Sequence, residues 1–140
     1  MIAGTAAILI LIVLAIFHIY WAIGGKAAKD IAVPSLNGRP VLKPTAFATA
    51  LVAAGLLAIS ALLALRVGWL NLAALPAKSL FVQIGAWLIA AVFALRAIGD
   101  FRYVGFFKTI REGGFARLDT FAYSPLCAGL ALLIGISLIT

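Results

Sequence analysis

The chain has 140 residues, 66% of them hydrophobic and only 11% charged, where an ordinary soluble domain is about 45–50% apolar and about 25% charged. A water-soluble fold of this size buries only about two-thirds of the surface its unfolded chain exposes, so the apolar surplus would face solvent and drive aggregation. A soluble domain is thereby excluded, and the composition predicts an all-α integral membrane protein with four transmembrane helices in one bundle and one domain. The formal net charge of +7 lies between apolar blocks, where it suits anionic headgroups, and no nucleic-acid motif competes for it.

In chain order, residues 2–24 carry no charge and are long enough, at ~1.5 Å per residue, to cross a ~30 Å hydrocarbon core. The segment lacks a basic n-region and a small-x-small cleavage site, so it is expected to stay on the protein as helix one rather than act as a signal peptide. Further uncharged blocks predict helices over about 45–65, 79–99 and 120–140. Between the first two, PSLNGRPVLKPT carries prolines at 34, 40 and 44 and an Asn37-Gly38 turn signal, the mark of an ordered turn-rich loop or short hairpin. Thr45 follows as a good N-cap. Alanines at 46, 50, 54 and 58, and again at 86, 90 and 94, let helix backbones approach closely and are expected to form the inner seams. Helix four has two candidate starts, Asp119-Thr120 and Ser124-Pro125. Counting from Pro125 leaves ~24 Å, short for a full crossing, so residues 119–124 are expected to form a bent or separate first turn.

With four crossings, the loops after helices one and three share a face. They hold Lys26, Lys29, Arg39, Lys43, Arg96, Arg102, Lys108, Arg111 and Arg117, against Arg66 and Lys78 opposite. The positive-inside rule then places both long loops in the cytoplasm and both termini outside.

The candidate binding residues gather at that same face. His18, the single histidine, lies within helix one where an ionisable side chain must find a partner or water; a hydrogen-bonded structural role and a functional one are both open. Trp21 would wall such a site, and Tyr20 beside it suits an interfacial belt. Arg96 and Asp100, at i and i+4, are expected to interact, with one another on one face of helix three or through a neighbouring helix, while Arg102 and Asp119 complete the candidate set. Convergence of His18, Arg96 and Asp119 on one cavity is expected, with a sealed polar cluster as the alternative. Tyr103, Phe106, Phe107 and Lys108, in the aromatic and basic run DFRYVGFFKTIR, read as membrane-interface anchors together with Tyr20.

His18-Ile-Tyr20-Trp21-Ala-Ile-Gly24-Gly25, then Arg96-Ala-Ile-Gly99-Asp100-Phe101-Arg102-Tyr103-Val104-Gly105-Phe106-Phe107-Lys108, then Asp119 and Tyr123-Ser124-Pro125-Leu126-Cys127, together resemble a family of small bacterial membrane proteins catalogued as domain of unknown function 3995. The resemblance covers essentially the whole chain and implies a four-helix integral membrane protein, without supplying an activity or a catalytic residue.

Missing features narrow the function. One cysteine, Cys127, permits no intrachain disulfide, and one His and one Cys on different helices make no ordinary metal site. No cofactor and no nucleic acid is called for. Because every carboxylate lies in or beside a cytoplasmic loop, proton-coupled transport is disfavoured. The favoured reading is a binding module for a lipid headgroup or a small anionic or amphiphilic ligand at the cytoplasmic face, with membrane lipids as neighbours. An accessory subunit of a larger complex or a homo-oligomer is the alternative, and a small enzyme or transporter using His18 with Asp100 or Asp119 is a third.

Overall fold

The computed structural model describes residues 1–140 except 37, 38, 42, 74, 75, 78 and 140; for residues 29, 30, 35, 36, 39 and 40 it describes the backbone alone. Helix α1 (Ile2–Ala22) stops two residues short of the expected 24 because Gly24 turns left-handed at φ 99° and the chain folds back, Gly25 N–H donating to the Tyr20 carbonyl. A one-turn helix α2 (Lys29–Ala32) follows, and strands β1 (Ser35–Leu36) and β2 (Arg39–Pro40) pair antiparallel, Ser35 with Pro40 and Leu36 with Arg39. This is the expected hairpin; its Asn37-Gly38 turn lies outside the described residues.

Helix α3 (Ala46–Val67) starts on Thr45, whose Oγ1 accepts from Ala48 N–H at 3.1 Å, and ends at Gly68 with φ 82°. Thr45 is thus the cap that its hydroxyl and its place after Pro44 predict. Helix α4 (Leu80–Ile98) starts on Ser79 in the same way and ends at Gly99. The fourth span is composite: α5 (Gly113–Leu118), one π-helical turn (Asp119–Tyr123), and α6 (Ser124–Ile139). It therefore begins about seven residues earlier than the expected 120, and residues 119–123 are a widened turn inside a continuous helix rather than a separate first turn. Pro125 has no N–H for the Phe121 carbonyl, and its ring would crowd that carbonyl in a regular α-helix. An i→i+5 bond from Ser124 N–H to the Asp119 carbonyl widens the turn and accommodates it.

Among the described residues four segments are long and apolar enough to span a membrane, and only 22–39% of the apolar window in each is buried inside the protein. Most of that apolar surface faces outward, as a lipid solvent permits and water does not. The helices form an up-down-up-down ring in which α1 packs most extensively on α3 and α4 on α6, with α1 against α6 and α3 against α4 closing it. Ile8 and Leu11 of α1, Leu56 and Leu63 of α3, Ala86 and Ala90 of α4, and Leu130 and Ile134 of α6 make the core. Gly4 permits the tightest approach, since a Cβ there would collide with Val67 of α3 and press on Ser137 of α6.

One seam is corrected. Ala86 and Ala90 of α4 are buried as expected and Ala94 is half-buried, whereas Ala46, Ala50, Ala54 and Ala58 of α3 are all exposed. The buried face of α3 runs through Thr49, Ala53, Leu56, Ser60 and Leu63, about 100° around the helix from the alanine stripe. A helix that is apolar all round carries no phase in its pattern, so only its neighbours decide which face turns inward.

Candidate functional site

Asp119 is fully buried at the first position of the π turn. Its Oδ1 accepts from Arg96 Nη2 at 2.8 Å; its Oδ2 accepts from Gly105 N–H at 2.7 Å, Lys108 Nζ at 3.0 Å and Ser124 Oγ at 3.2 Å. Lys108 Nζ in turn donates to the Gly105 carbonyl and to Thr120 Oγ1, so all three of its donors are used. Arg96 keeps a third of its side chain exposed, and its Nη1 is buried without a hydrogen-bond partner among the described residues. One carboxylate thus holds two cations and a backbone amide across α4, the α4–α5 connection and the fourth span.

Two expectations are corrected by this geometry. Arg96 pairs with Asp119, not with Asp100: the helix stops at Ile98, and Gly99, at φ 96°, swings Asp100 out of the i, i+4 position. Asp100 instead accepts the N–H groups of Arg102, Tyr103 and Val104 on one oxygen, at 2.7–2.9 Å. Lys108 is not an interface anchor, being only 2% exposed. Nothing in DFRYVGFFKTIR separates the buried lysine from the exposed Arg102 and Arg111, because the distinction depends on where Asp119 sits in space.

The loop carrying these residues is tightly made. Gly99 and Gly105 press backbone to backbone, where a Cβ on either would overlap the other's segment, and Phe101 is held at φ 61°. Thr109 N–H and Oγ1 both donate to the Phe101 carbonyl. Phe106 and Phe107 stand out exposed, as does Tyr20, while Tyr103 is half-buried with the Arg102 guanidinium 5.1 Å from its ring centre. Burial is the largest single influence on Asp100 and opposes its ionisation, but the backbone amides of Val104, Arg102 and Tyr103 together outweigh it and hold the carboxyl below its ordinary value of 3.8.

His18 lies elsewhere. It stands about one turn before the end of α1, and its Nδ1 is 2.7 Å from the Leu14 carbonyl oxygen. The Trp21 ring meets it edge-on at 5.3 Å, and the indole N–H is tied to the Ala27 carbonyl at 2.8 Å. Both line a cavity of about 210 Å³ between α1 and the first turns of α3, closed by α2 and the segment after it; Ala32, Val33, Pro44, Ala48, Thr49 and Val52 complete the wall. Neither Arg96 nor Asp119 borders it. The expected single site is therefore two: a close-packed, mutually bonded charge cluster around Asp119 and an open, mainly apolar pocket at His18. Arg102 and Asp100 belong to neither.

The proposed His18–Asp100 or His18–Asp119 acid–base pairing is not formed. Leu14 holds Nδ1, backbone amides occupy Asp100, and two cations occupy Asp119. Among the described residues no group of three or more His, Cys, Asp or Glu comes together. Thr49, Pro44, Val33 and Val52 were not legible as pocket residues, because the pocket is assembled from two helices and a loop. The one available signal was that loop's prolines at 34, 40 and 44, which disfavour helix there.

A family model described as "Protein of unknown function (DUF3995)" matches residues 11–134. No curated protein and no solved structure matches the chain.

Proposed function

The chain belongs to this family of unknown function, and from the geometry of its own sites we propose that it is a membrane-embedded binding module whose ligand is a lipid-soluble amphiphile held in the His18 pocket. The observation that carries this reading is the cavity of about 210 Å³ lined by apolar side chains around one polarised imidazole, the ordinary make-up of a small-ligand site. The Asp119 cluster supports it indirectly. With Lys108 fully bonded and Asp119 accepting four hydrogen bonds, that cluster acts as a pin between elements, and the one donor it leaves unbonded, Arg96 Nη1, is buried.

The pocket lies at the end of the bundle that carries the long connections. In the orientation proposed from the nine-to-two distribution of Lys and Arg, that is the cytoplasmic leaflet of a bacterial inner membrane. Ala48, Pro44 and Val52 are exposed at the rim, so a ligand can enter sideways from lipid.

The test is mass spectrometry of small molecules co-purified in mild detergent from wild type and from Ala48→Trp, which fills the pocket from its rim. A species enriched with wild type and lost from a folded Ala48→Trp is expected. An identical set from both proteins overturns the reading.

A further inference from the structure

We infer that the His18 pocket selects a neutral amphiphile presenting a hydrogen-bond donor, a lipid-borne hydroxyl group, over one with an anionic head. The inference rests on the pocket being a ligand site, as proposed above, and adds the chemistry of what enters it.

A carbonyl oxygen can only accept, so the 2.7 Å contact between His18 Nδ1 and the Leu14 carbonyl places the proton on Nδ1. In the neutral ring Nε2 is then a bare lone pair, an acceptor and nothing else. It has no hydrogen-bond partner among the described residues, yet it is not among the buried unpaired polar atoms, so it is reachable from outside. The remaining polar groups of the wall are already committed as donors. The Trp21 indole N–H goes to the Ala27 carbonyl, the Thr49 hydroxyl to the Thr45 carbonyl at 2.9 Å, and the Ala48 N–H to the Thr45 hydroxyl oxygen. Pro44 has no N–H to give, and Ala32, Val33 and Val52 bring hydrocarbon.

The pocket therefore shows a ligand acceptors without free side-chain donors. A phosphate or carboxylate, which offers only acceptors, would lose its hydration there and gain no side-chain donor from the wall. A hydroxyl donates to Nε2 while its chain lies along the apolar wall and leaves between α1 and α3. The volume, about seven times the ~30 Å³ share of one water in the liquid, holds a head of that kind and the first carbons of its chain. The edge-on Trp21 at 5.3 Å keeps the imidazole in place before the ligand arrives, which lowers the ordering cost of binding.

Because the chain has one histidine, histidine-selective ¹⁵N labelling gives a single Nε2 signal from full-length protein in lipid nanodiscs. The probes are farnesol, its methyl ether, farnesyl phosphate and an alkylated hydroquinone. The ether removes the donor at nearly constant shape, and the hydroquinone separates a phenolic from an aliphatic source of the same O–H. The expected result is saturable movement of the Nε2 signal with farnesol or the hydroquinone, about tenfold weaker binding of the ether, and loss of that discrimination in His18→Phe. Ether binding as tightly as alcohol, or phosphate binding more tightly than either, overturns the donor inference while leaving the pocket a ligand site. If no probe competes with the co-purified species and Ala48→Trp leaves that species in place, the pocket reading fails and this inference with it. Should His18→Phe not fold, the alcohol and ether comparison on wild type still decides.

Discussion

Asp119, Arg96 and Lys108 form an asymmetric trio, because Lys108 is sealed from solvent while Arg96 keeps part of its stem at the surface. Removing the shared carboxylate leaves Lys108 as an unpaired buried ion, and losses of about 3–5 kcal/mol are usual for that kind of break. Asp119→Ala is expected to lower the thermal unfolding temperature in detergent severely. Lys108→Met should cost less, since Arg96 still faces the carboxylate, and adding Lys108→Met to Asp119→Ala should restore much of the loss because Arg96 can reach water along its stem. Additive losses in the double variant would show that the two groups act independently. Asp100 makes a different prediction. Its carboxyl is held below 3.8 by three amides, so it contributes stability to its loop above that ordinary value, and the contribution disappears as pH falls through the lower folded value. The amide resonances of Arg102, Tyr103 and Val104 should titrate together with a midpoint under 3.8, and Asp100→Asn should abolish the transition. A midpoint above 3.8 would mean that the three amides do not hold the charged form.

At the scale of elements, the two alanine stripes separate pattern from placement. On α4 the stripe at 86 and 90 is buried against the core; on α3 the stripe at 46, 50, 54 and 58 faces outward. Ala90→Leu forces extra carbons into a close-packed seam and is expected to destabilise the protein by about 1–3 kcal/mol, whereas Ala54→Leu should leave its melting temperature nearly unchanged. Thermal unfolding of the two variants side by side checks this, and equal losses would place the α3 stripe in a contact of its own. The fourth span adds a second lesson. Ser124-Pro125 marks a helix start in sequence, yet α5 precedes it and the π turn between them carries Asp119 inward. The proline was read as a beginning, and in the fold it is the reason for a widened turn within a longer helix. Two glycines at 113 and 114 hid α5, because their weak helix propensity reads as loop until the packing of Phe115 and Ala116 outweighs it.

On the scale of the whole molecule, the alternating direction of the four helices brings both long connections to one end, where Tyr123, at the end of the π turn, donates to the Ile31 carbonyl of α2 at 3.2 Å. The excess of basic residues at that end predicts how the molecule is inserted. Alkaline phosphatase fused after the last residue should be active in the periplasm, and a fluorescent protein fused there should be dark; a bright fusion would invert the orientation and move the His18 pocket to the outer leaflet.

Composition and the placement of the uncharged blocks were sufficient for the solvent, the number of crossings and the helical class, because lipid requires every backbone group in a span to be satisfied within it and so leaves long apolar runs few structures to adopt. Local signals also placed Thr45 as a cap and the turn-rich segment as a loop or short hairpin, the second of which forms, since both depend on residues within a few positions of one another. Which ionisable groups meet was beyond that range. Arg96 lies four residues from Asp100 but pairs with Asp119, twenty-three residues on, and His18 faces α3 rather than the charge cluster. Helices that are apolar on every side do not announce which face turns inward, so packing between them decided where each polar group points, which cation Asp119 buries, and which end of which helix pair keeps a cavity open.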